Sequence, residues 1–323
     1  MAAQIQIAVA LDEHLRTRFF NPEQWERLTA LGDVCRISDD ATVLVTGWDT
    51  PRLDRAFLSA APRLRLVAHT GAAVRFLVSD ELFARGIRVT QAGEAMAPAV
   101  AEAALTCTLA LLHRVHRFDH ALHAGTDWDA AKAAAPPRRE LRGSTVGVVG
   151  ASRTGRAYLA LVRALGAEVL LTDPLLDDAS AAALGARLVP LDELLTRSRI
   201  VALHAPAIPE TRHLIGPREL ARMPDGAGLV NTARSWLVDT GALLAELRTG
   251  RIDAALDVFD EEPLPPASPL RGLPNVLLTP HEAAGTEEAR RRQGDVVIAE
   301  IERFLAGEPL RHEITRARLA WTA

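Results

Sequence analysis

The sequence predicts an α/β protein with two domains, each a doubly wound parallel sheet covered by helices on both faces. Three observations predict it. Short β-branched runs alternate with longer amphipathic runs almost throughout, the pattern of successive βαβ units. The alternation breaks in an aperiodic stretch near the middle and then restarts. And 323 residues exceed one ordinary core, matching two domains of roughly 150 residues each.

Taken in order, residues 5–10, 43–46, 64–69 and 87–90 read as strands, with helices fitting 22–31, 53–60 and 80–85 between them. A long helix is expected over 98–118, with Pro98 in its first turn. Residues 124–139 lose all periodicity and carry Pro136 and Pro137, so they read as an arm or linker. Strands then fit 145–149, 168–172, 200–203, 228–231, 254–258 and 276–279, and helices fit 155–165, 192–197, 217–223, 240–248 and 287–305. The last helix follows the final strand of the second series and has room to return to the first domain. The expected division is residues 1–97 with 287–323 in one discontinuous domain and 98–286 in the other. No period indicates a solenoid.

Composition narrows the classes of function. Apolar residues make up 48% and charged residues 24%, a globular balance. The formal net charge of −4, without a large basic block, gives no support to a nucleic-acid partner. Cys35 and Cys107 make no disulfide framework and no CxxC pair, and both are expected reduced and buried. The first ten residues lack the basic and apolar regions of a signal peptide, and no apolar run reads as a membrane span, so a soluble, cytoplasmic protein without a membrane partner is expected.

The segment Thr145-Val-Gly-Val-Val-Gly150-Ala-Ser152-Arg-Thr-Gly155 reads as strand, tight turn and helix start. It is a GxGxxG dinucleotide fingerprint in which Ser152 stands at the middle glycine. The first glycine permits the turn, and the third lets helix and strand approach closely. Ser152 is small, and its hydroxyl has a proton to donate to a phosphate. Asp173 ends the following strand, where an acid accepts from ribose hydroxyls and repels a 2′-phosphate; no Arg or Lys follows in residues 174–178. The pattern predicts NAD rather than NADP.

Three polar residues fall at ends of predicted strands in the second series: Arg234, Glu262 and His281. Carboxyl ends of parallel strands face the ligand crevice, so such residues converge although distant in sequence. A guanidinium fork suits a substrate carboxylate. An imidazole suits proton delivery to the alkoxide that forms as hydride reaches a carbonyl, and a neighbouring carboxylate favours imidazolium and orients the ring. Singly, Arg234 would pass for a surface charge, Glu262 for part of an acidic turn with Asp260 and Glu261, and His281 for a core histidine. The joint pattern is what points to chemistry.

With these pieces in place, the sequence resembles the D-isomer-specific 2-hydroxyacid dehydrogenase family. The matching stretches are Gly150–Gly155 with Asp173-Pro174, Leu203-His-Ala-Pro206 with Thr211, Asn231-Thr-Ala-Arg-Ser-Trp-Leu-Val-Asp239, Asp257-Val-Phe-Asp-Glu-Glu-Pro263 and Thr279-Pro-His281, in the family's order over roughly residues 64–305. The resemblance implies two Rossmann-like domains with a cleft between them and NAD as cofactor. It implies an oxidoreductase interconverting a small 2-oxo acid and its D-2-hydroxy acid. By it, His281 is the acid/base, Glu262 its partner, and Arg234 binds the carboxylate and polarises the carbonyl. Gly150, Ser152, Arg153, Thr154, Gly155 and Asp173 would hold the dinucleotide, with His204, Ala205, Pro206, Thr211, Thr232 and Ala233 lining its cleft. Asp257 would meet the nicotinamide amide, and Val100 would lie near the nicotinamide ring. Gly71, Ala72 and Ala73 would form the substrate loop whose amides hold the carboxylate. A homodimer through the cofactor domain is implied, with the arm near Trp128 as a candidate contact.

The sequence departs from the family at Ser235, usually glycine, and at Val74-Arg-Phe-Leu-Val78, usually acidic, where Arg75 is read as exposed. His113, His116, His120 and His123 fall at helical spacing and are read as a solvated or dimer-facing stripe rather than a metal site. Two other functions stay open: an NAD(H)-sensing, corepressor-like binding protein without turnover, and a dehydrogenase for another small anion such as phosphite or formate.

Overall fold

The structure is a computed structural model and describes residues 5–319. The chain divides into two compact units, one running up to Met96 and resuming at Gly285, the other spanning Ala97–Ala284.

The first unit is built on five parallel strands, β1 (Gln6–Ala10), β2 (Asp33–Cys35), β3 (Val43–Thr46), β4 (Leu66–His69) and β5 (Arg88–Gln91), in the order β2-β1-β3-β4-β5. Successive side chains of a strand face opposite sides, and the core follows that period of two. Val43, Val45, Leu66 and Ala68 pack on one face with Phe19, Phe20, Leu28 and Ile298. Leu44 and Val67 pack on the other with Leu58, Leu77 and Leu82. Ile298 comes from a later helix and Leu77 from a loop, while most of those partners come from α1 (Glu13–Phe19), α2 (Pro22–Ala30), α3 (Arg55–Ala60) and α4 (Asp80–Ala84). Side chains of Asp12, Asn21, Asp54 and Ser79 cap their N-termini.

The second unit has seven parallel strands: β6 (Thr145–Val149), β7 (Glu168–Thr172), β8 (Arg187–Leu188), β9 (Ile200–Leu203), β10 (Gly228–Asn231), β11 (Asp253–Leu256) and β12 (Val276–Leu278). Their order is β12-β11-β10-β9-β6-β7-β8. The chain runs outward from β6 to β8 and restarts on the other side at β9, so the β6/β9 junction is the topological switch point where such sheets bind ligands. Register sharpens this. Val149 pairs with Leu203, Leu203 with Asn231, Asn231 with Leu256, and Leu256 with Leu278. The next residue on each strand, Gly150, His204, Thr232, Asp257 and Thr279, therefore falls in one row along the carboxyl edge. Covering helices are α5 (Gly93–His113), α6 (Val115–His123), α7 (Trp128–Ala134), α8 (Arg153–Ala164), α9 (Asp178–Ala183), α10 (Leu191–Arg197), α11 (Pro217–Arg222) and α12 (Thr240–Arg248). The long α13 (Glu287–Leu305) packs against α1, α2 and β4 of the first unit, and the short α14 (Arg316–Leu319) follows.

Several expectations need correction. The long helix begins at Gly93 rather than at Pro98, which sits inside it, and it stops at His113. Arg114 takes a left-handed φ of 58°, separating α5 from α6. The four histidines are thus not one helical stripe: His113 ends α5, and His116 is buried while His123 is exposed. Among the described residues no cluster of His, Cys, Asp and Glu could hold a metal. The arm contains α7, started by Asp127, whose carboxylate accepts from the amides of Asp129 and Ala130. Cys107 is buried but Cys35 only partly. α5 is also long and apolar enough, by length and composition, to cross a membrane; half of that window is buried inside the protein. Strands β2 and β8 escaped the sequence reading because three and two residues carry no period.

The break after α5 is fastened by a buried ion cluster. Asp253, at the start of β11, accepts from Arg114 at 2.5 Å and from Arg117, and His116 Nε2 lies 3.1 Å away. Burial opposes ionisation of Asp253, but His116 and the two guanidiniums outweigh it and hold the carboxyl below its usual range. Removing one partner of such a cluster strands the others. Asp253→Ala is therefore expected to cost about 3–5 kcal/mol, read as a lower urea midpoint with an unchanged m-value.

Candidate active site

The cofactor-binding reading begins at Gly150, which turns the chain out of β6 with a φ of +95°. A Cβ there would lie 2.7 Å from the Ala205 nitrogen, and one on Gly155 would lie 2.2 Å from the Gly150 oxygen. Only glycine allows this approach of β6, α8 and the β9 exit. Ser152 has an ordinary φ of −60° and is the N-cap of α8, its hydroxyl accepting from the Gly155 amide at 3.2 Å. A serine at the middle fingerprint position therefore trades a glycine the backbone does not require for a favoured cap. Asp173 Oδ2 accepts from the Ala151 amide at 2.7 Å and Oδ1 from Leu175 at 2.9 Å, which ties the carboxylate to the loop.

The row along the strand ends holds unmatched polar atoms. His204 Nε2 and Thr232 Oγ1 are buried with no partner in the chain. Among the described residues the amides of Ser152 and Thr154, in the first turn of α8, meet no chain acceptor. Buried polar groups are normally paired, so this edge suits a polar ligand, and backbone amides at a helix start suit a diphosphate. The residues present fit NAD. Burial pushes His204 down to about 3, so the ring is neutral, and it packs on Tyr158 with centroids 4.9 Å apart.

Other expected cofactor residues are engaged within the chain or partly exposed. The Thr211 hydroxyl closes its own turn, donating to the Pro206 oxygen at 2.6 Å and accepting from the Ile208 amide. Arg153 is exposed at the start of α8, Ala205, Pro206 and Ala233 are half-buried, and Val100 is half-buried in α5. Asp257 is buried and engaged by the chain: Oδ1 accepts from Thr279 Oγ1 at 2.6 Å and Glu282 N at 3.0 Å, and Oδ2 from Ala283 N at 3.0 Å. Those bonds fix the turn that carries His281.

His281 takes a left-handed φ of +55°, uncommon outside glycine, at the centre of that turn. Its Nδ1 lies 2.6 Å from Glu262 Oε2, and Glu262 Oε1 accepts from the Phe259 amide at 2.9 Å. Both side chains remain partly exposed. Arg234 leaves β10 three residues after Asn231. Burial lowers its pKa from the ordinary arginine value, and the nearby Glu262 carboxylate opposes that shift. Its Nη1 donates to the Ala233 oxygen at 2.6 Å. The sequence reading assigned no role to Asn231, whose amide donates to the Arg234 oxygen at 2.9 Å and accepts from Ala233 N at 3.1 Å. An Asn at a strand end, bonding backbone two and three residues on, is the signal that would have found it. Gly71–Ala73 lies in the first unit, after β4, and among the described residues its three amides meet no chain acceptor.

The NAD-binding domain of the D-isomer specific 2-hydroxyacid dehydrogenases matches residues 105–283, more than half of the chain and nearly all of the second unit. The chain belongs to the D-isomer specific 2-hydroxyacid dehydrogenase family. It is 35% identical over 303 residues to a glyoxylate reductase of Aeropyrum pernix, covering 91% of this chain and 89% of that one. It is 36% identical over 271 residues to a D-3-phosphoglycerate dehydrogenase of Methanocaldococcus jannaschii, covering 83% of this chain and 51% of that one. The chain thus spans about half the length of the D-3-phosphoglycerate dehydrogenases it matches. A solved glyoxylate reductase from Paecilomyes thermophila superposes with a TM-score of 0.82 at 25% identity, over 98% of this chain and 99% of that one. NAD is the cofactor of this family, and the fingerprint loop, Asp173 and the unmatched polar row suit it.

The neutral burial of His204 has a measurable consequence. Its folded pKa is below the ordinary value, so unfolding takes up a proton between about pH 6.5 and about 3, and stability falls as pH falls through that window. Replacing it by a ring of similar shape, His204→Phe, is expected to flatten the decline in folding free energy from pH 6.5 to 5 by about 1 kcal/mol per pH unit. Urea titrations at stepped pH check this.

Proposed function

We propose that the chain reduces a small 2-oxo acid to its D-2-hydroxy acid, and catalyses the reverse oxidation, with His281 as acid/base. The observation that carries the reading is the 2.6 Å contact of His281 Nδ1 with Glu262. It fixes the ring and leaves Nε2 for the substrate oxygen. When bound, NADH supplies the hydride delivered to C2. His281 gives the Nε2 proton to the carbonyl oxygen as it becomes an alkoxide, and takes it back in oxidation. Glu262 orients the ring through Nδ1, and its other oxygen is anchored to the Phe259 amide. Arg234, held by the Asn231 clamp, binds the substrate carboxylate and polarises the carbonyl. Residues 97–284 serve as the cofactor domain and the other unit as the substrate domain, with the Gly71–Ala73 amides as an anion-holding loop.

We further propose a homodimer through α6, α7 and the arm. Val115, Leu122 and Trp128 are 55%, 45% and 66% exposed there. Apolar surface of that kind, edged by a groove between Phe118, Trp128 and Pro136, marks an interface. Trp128→Glu is expected to convert a dimer into a monomer in sedimentation; a monomeric wild-type chain would end this proposal.

The catalytic reading is tested by NADH oxidation with a panel of 2-oxo acids. His281→Ala is expected to lower kcat by about 10²–10⁴-fold while NADH affinity stays within threefold. Arg234→Ala should raise KM strongly and also lower kcat. Near-wild-type turnover in both variants would overturn the assignment. NADH binding without turnover on any acid would favour the NAD(H)-sensing alternative.

A further inference from the structure

We propose that the carboxyl edge of the first unit carries an aromatic subsite, formed by Trp48 and Phe76 beside the Gly71 loop, which selects 2-oxo acids bearing an aromatic side chain. This rests on the 2-oxo acid reading above and names the substrate class within it.

The aromatic residues of this chain are few, 4% of the total, yet the exits of β3 and β4 gather several. Trp48 follows β3 by two residues, His69 ends β4, and Phe76 lies in the loop beyond Gly71. Both Trp48 and Phe76 stand edge-on to His69, each with centroids 6.0 Å from it. Trp48 and Phe76 are 45% and 41% exposed, and among the described residues of this unit only Ile37 is another large apolar side chain left so open. Carboxyl ends of parallel strands are where such sheets meet ligands.

The rings are held in place before any ligand arrives. Thr50 Oγ1 accepts from the Gly47 amide and the Thr50 amide donates to the Gly47 oxygen, so Trp48 sits on a closed turn. The indole also leans on buried Phe19, centroids 5.9 Å apart. Phe76 lies on a single turn closed by Leu77 and Val78 amides on the Val74 oxygen, and those three neighbours are buried. Their burial forces Phe76 outward. His69 is wholly buried; its Nδ1 pairs with Thr46 Oγ1 at 3.0 Å and its Nε2 has no partner. That nitrogen faces the loop: a Cβ on Gly71 would lie 2.7 Å from it and 2.8 Å from the indole edge. Glycine at 71 therefore lets the loop lie directly on both rings, with the amides of Gly71–Ala73 open beside them.

Charge argues for an aromatic rather than a phosphorylated side chain. Phosphate recognition uses forked, convergent cations. The cations of the two loops are Arg52 and Arg75; Arg75 donates to the Leu319 oxygen at 2.8 Å, and the acid Asp49 follows Trp48. Two preset rings next to an anion-holding loop match a phenyl group two bonds from a carboxylate-bearing carbonyl, and ring pairs gain from edge-to-face geometry.

The test is initial rates of the full chain with NADH on phenylpyruvate, 4-methyl-2-oxopentanoate, pyruvate, glyoxylate and 3-phosphohydroxypyruvate. Phenylpyruvate is expected to have the highest kcat/KM, at least 30-fold above glyoxylate. Trp48→Ala and Phe76→Ala should each cut the phenylpyruvate-to-glyoxylate ratio at least tenfold. The ratio is internal to one preparation, so partial unfolding of a variant cancels. In parallel, phenylpyruvate should quench tryptophan fluorescence in the wild type, and Trp48→Phe should abolish that quench. Wild-type preference for glyoxylate or the phosphorylated acid, or ratios unchanged in both variants, would overturn the subsite. If no acid turns over but the Trp48-dependent quench persists, the subsite stands and the catalytic reading falls.

Discussion

The Asp257 carboxylate, buried at the end of β11, holds three donors from the turn after β12: one hydroxyl and two backbone amides. Everything proposed for His281 depends on that grip. A histidine at a positive φ persists only where its surroundings fix the backbone, and here the fixing bonds fall on Thr279, Glu282 and Ala283, on both sides of it. The cost of desolvating a carboxylate is offset because several lone pairs are satisfied at once. The side chain of residue 281 is then delivered to Glu262 rather than left to search for it.

The same economy recurs along the row. Asn231 bonds the backbone of Ala233 and Arg234, beyond Thr232, and so sets where Arg234 leaves the sheet. Gly150 and Gly155 give up side chains so that strand, helix and neighbouring loop lie in contact. Strand register aligns these devices, because each begins one residue past a mutually paired set of strand ends. Parallel pairing is therefore the frame in which separate local bonds add up to one surface. What the row leaves unpaired, the His204 nitrogen and the Thr232 hydroxyl, is as informative as what it pairs.

The first unit applies the same geometry to different chemistry. The exits of β3 and β4 present rings and bare amides, and the histidine between them, His69, is buried, pushed down to about 4 and therefore neutral. In the readings proposed above, one sheet edge carries the acid/base and anion-holding groups and the other the rings that select the side chain. Relatives named for glyoxylate and for 3-phosphoglycerate are 35% and 36% identical to this chain.

By itself the sequence determined the α/β class, most strand positions and the dinucleotide fingerprint, and it singled out Arg234, Glu262 and His281 as candidates. Each rests on a local signal: period-two burial, glycines where Cβ atoms would collide, polar residues just past apolar runs. It misplaced both ends of α5: Pro98 sits inside the helix rather than at its start, and the left-handed Arg114 that ends it answers to Asp253, far along the chain and invisible to any local window. It could not show that the Thr211 hydroxyl closes its own turn, and it passed over Asn231. Only the tertiary structure decided that Asp257 grips the His281 turn and that Trp48, His69 and Phe76 meet. Those facts depend on distances between segments brought together by sheet order, and no spacing along a chain encodes a distance across a sheet.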